Sequence, residues 1–187
     1  MSIYTKKEPL VLKEVFRKYD DTRGFLSALD LKDLGLPVGY ENFHYQLLSY
    51  TENSYTFRGF HFQDEPFEQD KLIFIHTGRV IDIIFPTNLK VLDDVKIFDL
   101  CSGDALYLPK GYAHGFISVC KNVVLQYLMD NPFSEGHYAG ISGIKVINLF
   151  REDCMVSDKD SSLPRNVLVE QLVGEALTKW LAKNRDT

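Results

Sequence analysis

Cysteine is scarce in this chain. Cys101, Cys120 and Cys154 are an odd number with no CxxC spacing among them, which argues against both a disulfide framework and a structural zinc site built on paired thiolates. Long apolar runs are missing too, since no segment approaches the ~18 residues that span a bilayer. The opening stretch Met1 to Glu8 is polar and lacks the apolar core of a signal peptide, so the expected location is the cytoplasm. Basic charge is not in excess either: 21 Lys+Arg stand against 26 Asp+Glu, a net charge of −5, which disfavours nucleic acid or an anionic membrane as a partner. An anionic small molecule remains compatible if Arg and Lys cluster locally. Repeats, low-complexity tracts and Pro/Gly/Ser-rich linkers are absent, which leaves no internal boundary between domains.

What is present suits one globular domain: 187 residues, 45% of them hydrophobic, are enough to bury a sizeable core. Between Phe43 and Leu149 the chain reads as strands. Lys71 to His76, Arg79 to Phe85, Val95 to Leu100 and Val123 to Leu128 are short β-branched and aromatic runs, parted by turn residues such as Thr77-Gly78, Pro86-Thr-Asn and Ser102-Gly-Asp. Strands at this spacing predict a sandwich or barrel. After Asn166, a candidate N-cap, Val169, Leu172, Val173, Ala176, Leu177, Trp180 and Leu181 recur with helical period, and Lys179, Lys183 and Arg185 sit where a helix dipole favours cations. The expected organisation is a domain over residues 1–165 followed by an amphipathic helix over 166–187, docked on the barrel or on a second subunit.

The clearest local pattern runs from Gly103 through Pro109-Lys-Gly111 to His114. Gly103-Asp104 makes a turn, Leu106 and Leu108 share one face with Tyr107 opposite, and a second bend at Pro109 to Gly111 delivers His114. This stretch resembles the second motif of the cupin superfamily, which implies an all-β jelly roll (a double-stranded β-helix) with a few short helices. Many cupins hold a metal through two histidines one residue apart, a glutamate and a later histidine. Here Arg58-Gly-Phe-His61-Phe-Gln63 has glutamine at the second position, and two imidazoles fall short of the three good ligands a catalytic metal usually asks for. No metal and no cofactor is therefore expected, and acid–base chemistry by His61 is the natural alternative.

Asp21-Thr-Arg23-Gly-Phe25, Gln46, Arg58 to Gln63, Lys71, Gly78 to Asp82, Pro109 to Phe116, Tyr127 and Ser157-Asp-Lys-Asp160 occur in an order and spacing that resemble the dTDP-4-dehydrorhamnose 3,5-epimerase family over about residues 10 to 165. The resemblance implies an isomerase that needs no cofactor and inverts carbons next to a 4-keto group in a nucleoside-diphosphate-6-deoxysugar. In the family's pattern His61 is the base, Asp160 its orienting carboxylate, Tyr127 the acid on the opposite face, and Lys71 the cation beside the keto oxygen. Arg23 and Arg58 would hold the diphosphate, while Phe25, Gln46, Asp82, His114 and Phe133 line or support the cavity. Read alone, Tyr127 is an ordinary core aromatic and Asp160 an ordinary turn or cap residue; His44, His76 and His137 have no motif support. The resemblance further implies a homodimer, with strands from residues 1–30 at the interface, and a role in deoxysugar and lipopolysaccharide biosynthesis.

Departures from the pattern fall on recognition. The family's glutamate after its Arg-Gly-Phe-Phe segment is Ala28, its asparagine after the glutamine is Leu48, and its second tyrosine is Phe133. Tyr138 to Ile144 replaces a Trp-Asn-Asp segment, and Leu149-Phe150 replaces the Trp-Pro that ends the following strand. These changes leave open a different nucleotide, inversion at C3 or C5 alone, a ketoisomerase, a metal-dependent cupin, or a sugar-nucleotide-binding cupin without catalysis.

Overall fold

The computed structural model describes residues 7–184; the first six residues and Arg185, the last basic residue expected at the helix end, lie outside that range. Two five-stranded antiparallel sheets face each other. The first runs β1 (Leu10–Leu12), β9 (Ala105–Leu108), β6 (Lys71–Thr77), β11 (Val123–Met129), β4 (Tyr45–Thr51); the second runs β12 (Tyr138–Gly140), β5 (Phe57–Gln63), β10 (Tyr112–Ser118), β7 (Arg79–Pro86), β8 (Lys96–Cys101). A separate exposed hairpin joins β2 (Arg17–Asp21) to β3 (Gly24–Ala28). The architecture is the expected jelly roll, and all four strands read from the sequence are present.

Strand alternation sorts the apolar residues into three layers. Ile73, Ile75, Ile84, Leu106, Leu108, Phe116 and Leu125 fill the space between the sheets. Leu72, Phe74 and Tyr107 point outward from the first sheet and are covered by Phe16, Leu29, Leu31 and Leu34 of the N-terminal segment. Phe57, Phe60, Ile83 and Phe85 point outward from the second sheet, beneath helices. Strand β7 therefore has both faces buried and reads as an almost continuous apolar run, interrupted by Asp82. The bend at Gly103 holds as expected: its φ of +101° suits glycine, and the Asp104 carboxylate accepts from Cys101 N at 2.9 Å and from the Lys13 ammonium at 2.7 Å.

One stretch expected to be a strand is a helix. Ile144–Phe150 forms α1, a short α2 spans Asp158–Ser161, and α3 spans Val167–Asn184. Val146 and Ile147 are fully buried and Phe150 packs beside them against α3, a spacing that one helical face satisfies and an alternating strand does not. In α3 the periodicity holds: Val169, Val173 and Leu177 are buried on the second sheet, with Leu172, Trp180 and Leu181 at the margin. Asn166 caps the helix, its side-chain oxygen accepting from Val169 N at 3.2 Å. Burying each of those three aliphatic side chains is worth about 2 kcal/mol, so α3 belongs to the barrel's packing. None of the helices among the described residues is long and apolar enough to cross a membrane.

Candidate active site

Between the sheets a cavity of about 330 Å³ opens to solvent. The first sheet gives it Leu47, Ser49, Lys71, Tyr127 and Met129, the second gives Arg58, His61, Gln63, His114 and Tyr138, and α2 adds Lys159 and Asp160. That Arg58 and His61 both reach it needs explaining, because residues three apart on a regular strand point to opposite faces. The pairing supplies the reason. His61 pairs with His114 and Arg58 with Phe116, so Gly59 and Phe60 stand opposite the single Gly115. This bulge resets the alternation, sending Phe57 and Phe60 to the outer core while Arg58 and His61 share the cavity. Glycine is required on both strands: a Cβ on Gly59 (φ +146°) would lie 2.4 Å from the Gly115 Cα, and one on Gly115 would lie 2.9 Å from the Arg58 carbonyl oxygen.

The bulge also builds the His61 surroundings. His61 Nε2 lies 2.7 Å from Asp160 Oδ1, and the freed Gly59 N–H donates to Asp160 Oδ2 at 3.3 Å. Burial pushes the Asp160 carboxyl up, but the His61 hydrogen bond and charge, the Gly59 N–H and Arg58 together hold it below the ordinary carboxylate range. An ionised Asp160 accepts from Nε2, which leaves Nδ1 as the basic nitrogen of the ring. Asp160 is placed by a capped turn, with the Ser157 hydroxyl accepting from Asp160 N at 3.1 Å. It is a capped-turn residue that also lines the cavity.

Across the cavity, Tyr127 and Lys71 share one face because Tyr127 pairs with Ile73 and Met129 with Lys71. The Tyr127 hydroxyl has no hydrogen-bond partner among the described residues, and burial first, then the Asp82 charge, pushes its pKa up, so it stays protonated. Burial pulls the Lys71 ammonium down to about 8, with Asp82 opposing the fall. Asp82 lies under the cavity floor on β7, fully buried, with Oδ2 3.4 Å from His114 Nδ1. His114 is itself held below the usual histidine range by burial.

Not every expected residue meets the cavity. Gln46 lies on the opposite face of β4 from Leu47 and Ser49, hydrogen-bonded to Gln126 at 3.3 Å; strand alternation puts it there. Arg23 sits at the tip of the exposed hairpin, its side chain 88% exposed and bound to Asp21 at 2.6 Å, and Phe25 on the same hairpin is 61% exposed beneath Lys18. Within one chain neither is among the cavity residues. Phe133 is, at the rim and 58% exposed. A wider groove of about 730 Å³ runs under the hairpin, bordered by Leu12, Arg17, Tyr19, Leu29 and Tyr40; it has no imidazole or catalytic pairing. Sequence reasoning passed over Ser49, Gln69, Tyr138 and Lys159 as cavity residues. The period-2 pattern of β4 and the neighbourhood of Asp160 pointed to Ser49 and Lys159, whereas nothing local marked Gln69 or Tyr138. Gln63, in place of a cupin histidine, ties down two loops: its amide donates to Phe67 O (2.7 Å) and Pro132 O (3.2 Å) and accepts from Ser134 N (2.7 Å). Among the described residues no three His, Cys, Asp or Glu side chains converge as a ligand set.

Known proteins give this geometry a context. The chain is 30% identical over 168 residues to a dTDP-4-dehydrorhamnose 3,5-epimerase of Sinorhizobium fredii, covering 79% of this chain and 80% of that one. It is 31% identical over 151 residues to the Escherichia coli protein of the same name, covering 74% and 77%. Among solved structures, an epimerase of that name from Bacillus anthracis, with TDP and PPi bound, superposes with a TM-score of 0.69 at 27% identity, covering 85% of this chain and 94% of that one. The 3'-monoepimerase ChmJ from Streptomyces bikiniensis, at 16% identity, shares the fold with a TM-score of 0.69 over 96% of each chain. A family model described as dTDP-4-dehydrorhamnose 3,5-epimerase matches residues 9–166, which takes in the whole span over which the motifs occur in order, and the chain belongs to that family.

Proposed function

We propose that this protein epimerises a nucleoside-diphosphate 4-keto-6-deoxysugar by removing a proton next to the keto group on one face of the sugar and returning one on the other. The observation that carries this reading is the placement of His61, backed by Asp160, on one sheet and the unpartnered Tyr127 hydroxyl on the other, with Lys71 in the same cavity. His61 Nδ1 takes the proton, and Asp160 stabilises the imidazolium that forms. Negative charge then grows on the keto oxygen, where the Lys71 ammonium offsets it. Tyr127, protonated throughout the neutral range, donates to the opposite face of the enolate carbon. Arg58 supplies a guanidinium fork for the diphosphate and Lys159 a second cation.

The site is a shared one in this reading. Arg23 and Phe25 lie on an exposed hairpin that packs on none of the three cores, and Leu26 beside them is 70% exposed. A homodimer in which each hairpin reaches the other protomer's cavity accounts for both facts. The decisive experiment is proton NMR in D2O with dTDP-4-keto-6-deoxyglucose. Deuterium entering at C3 and C5 with inversion at both is the expected result, and binding without exchange would sink the reading. Exchange at a single carbon would instead favour a monoepimerase, for which the missing hydroxyl of Phe133 at the rim is the motivating feature. Mixing inactive His61→Ala and Arg23→Ala proteins should restore activity if the hairpins cross between protomers; no restoration, or a monomeric mass in solution, refutes the dimer.

A further inference from the structure

Resting on that reading, we propose that the Tyr138 ring is a positioning residue that fixes the Lys159 ammonium at the cavity rim as a cation for the substrate's diphosphate. Lys159 precedes Asp160 on α2, and its Nζ stands 3.9 Å from the centroid of the Tyr138 ring. Among the described residues it has no carboxylate within ion-pair distance. The neighbouring Asp160 is already engaged by His61 and Gly59. An exposed lysine without a partner samples many rotamers, and ordering it on binding costs affinity. An aromatic face removes much of that cost without neutralising the charge.

Tyr138 is suited to the task because it is held from several sides. On β12 it pairs with Gln63, whose amide is locked by three backbone bonds. Its ring also lies 5.4 Å from the His61 ring and 5.9 Å from Phe133. Burial and the Asp160 charge push its hydroxyl up to about 12, so the phenol is neutral and offers Lys159 no counter-ion. What it offers is the ring face. Phenylalanine should therefore replace it, and an aliphatic or amide side chain should not.

Calorimetric titration of the full-length protein with dTDP and with inorganic pyrophosphate tests this. Tyr138→Leu and Tyr138→Gln are expected to weaken both probes about fivefold, with a folding defect in one leaving the other to report. Tyr138→Phe is expected to bind like the wild type. In a Lys159→Met background Tyr138→Leu should cost nothing more, and in Tyr138→Leu alone the pH profile of proton exchange should keep its wild-type inflections. Unchanged binding in both ring-less variants, or a Tyr138→Phe protein as weak as they are, or a full further loss on top of Lys159→Met, overturns the assignment. So does a shifted pH profile, which would mean that the ring acts on His61 instead. A wild-type protein that binds neither probe would refute the nucleotide-sugar reading itself, an outcome distinguishable from all of these.

Discussion

Two histidine–aspartate pairs sit side by side in this barrel, on cross-strand neighbours His61 and His114, and they are built differently. His61 is 28% exposed, 2.7 Å from an aspartate whose second oxygen is also hydrogen-bonded, through Gly59 N–H. His114 is 7% exposed, 3.4 Å from an aspartate whose Oδ1 has no hydrogen-bond partner among the described residues. A general base must accept a proton and keep the resulting charge, which requires an ionised, fully bonded carboxylate behind the ring and an open nitrogen in front. Only the first pair has this. The second is a buried imidazole lining the cavity, held below its usual pKa mainly by desolvation. The same two residue types differ in surroundings through burial and through one backbone N–H.

The largest effect that would test the contrast comes from truncating each imidazole. His61→Ala should lower proton exchange about a thousandfold or more, within the range of a lost general base, whereas His114→Ala should lower it about tenfold through packing and substrate contact alone. Deuterium incorporation followed by NMR gives both numbers. Equal losses would erase the distinction. Next in size is Asp160→Asn, which keeps the shape but can donate to Nε2 and so favours the wrong tautomer; a loss on the order of a hundredfold is expected, with little change in substrate KM.

A smaller effect probes how the first pair is assembled. Gly115→Ala places a Cβ 2.9 Å from both the Arg58 carbonyl oxygen and the Gly59 Cα, and the bulge must shift to admit it. Stability should fall by about 2 kcal/mol, seen as a lower Tm. Because the bulge positions Arg58 and His61 together, KM should rise and kcat fall in the same variant, kcat by about tenfold. A protein that loses Tm and keeps both constants would show that the bulge matters to folding only.

How much of this was legible in the sequence follows from the range of the signals. The strands of β6, β7, β8 and β11 and the helix α3 announce themselves by period, because each buries one face, or both, on a nearby layer. His61, Lys71, Tyr127 and Asp160 come from four separate elements, and only the ordered resemblance to a known family connected them. Alternation alone would have set Arg58 and His61 on opposite faces, since a bulge of Gly59 and Phe60 against Gly115 leaves no local mark beyond two glycines far apart in the chain. Ile144–Phe150 is too short for periodicity to separate helix from strand, and its packing on α3 decided the matter. Tyr138 carried no signal because its neighbours in the cavity are assembled by pairing with β5.

The smallest expected effect sharpens what the second pair contributes. Lys71 titrates at about 8, pulled down by burial while the Asp82 charge resists, so at pH 7 roughly nine-tenths of it is protonated. Proton exchange should therefore decline as pH rises through about 8, because the neutral amine no longer offsets the enolate charge. Asp82→Asn removes the opposing charge, which lowers the Lys71 pKa further and moves this alkaline limb to lower pH. A further drop of about one unit would leave half the lysine protonated at pH 7 and cost only about twofold there. His114 cannot mimic the effect: Asp82 also raises its pKa, so losing the carboxylate drives His114 further from neutrality and adds no inflection near 8. The kcat profile from pH 6 to 9 reads the shift directly. If the limb stays in place, the buried aspartate serves His114 alone, and the second pair is a structural element with no hold on the chemistry of Lys71.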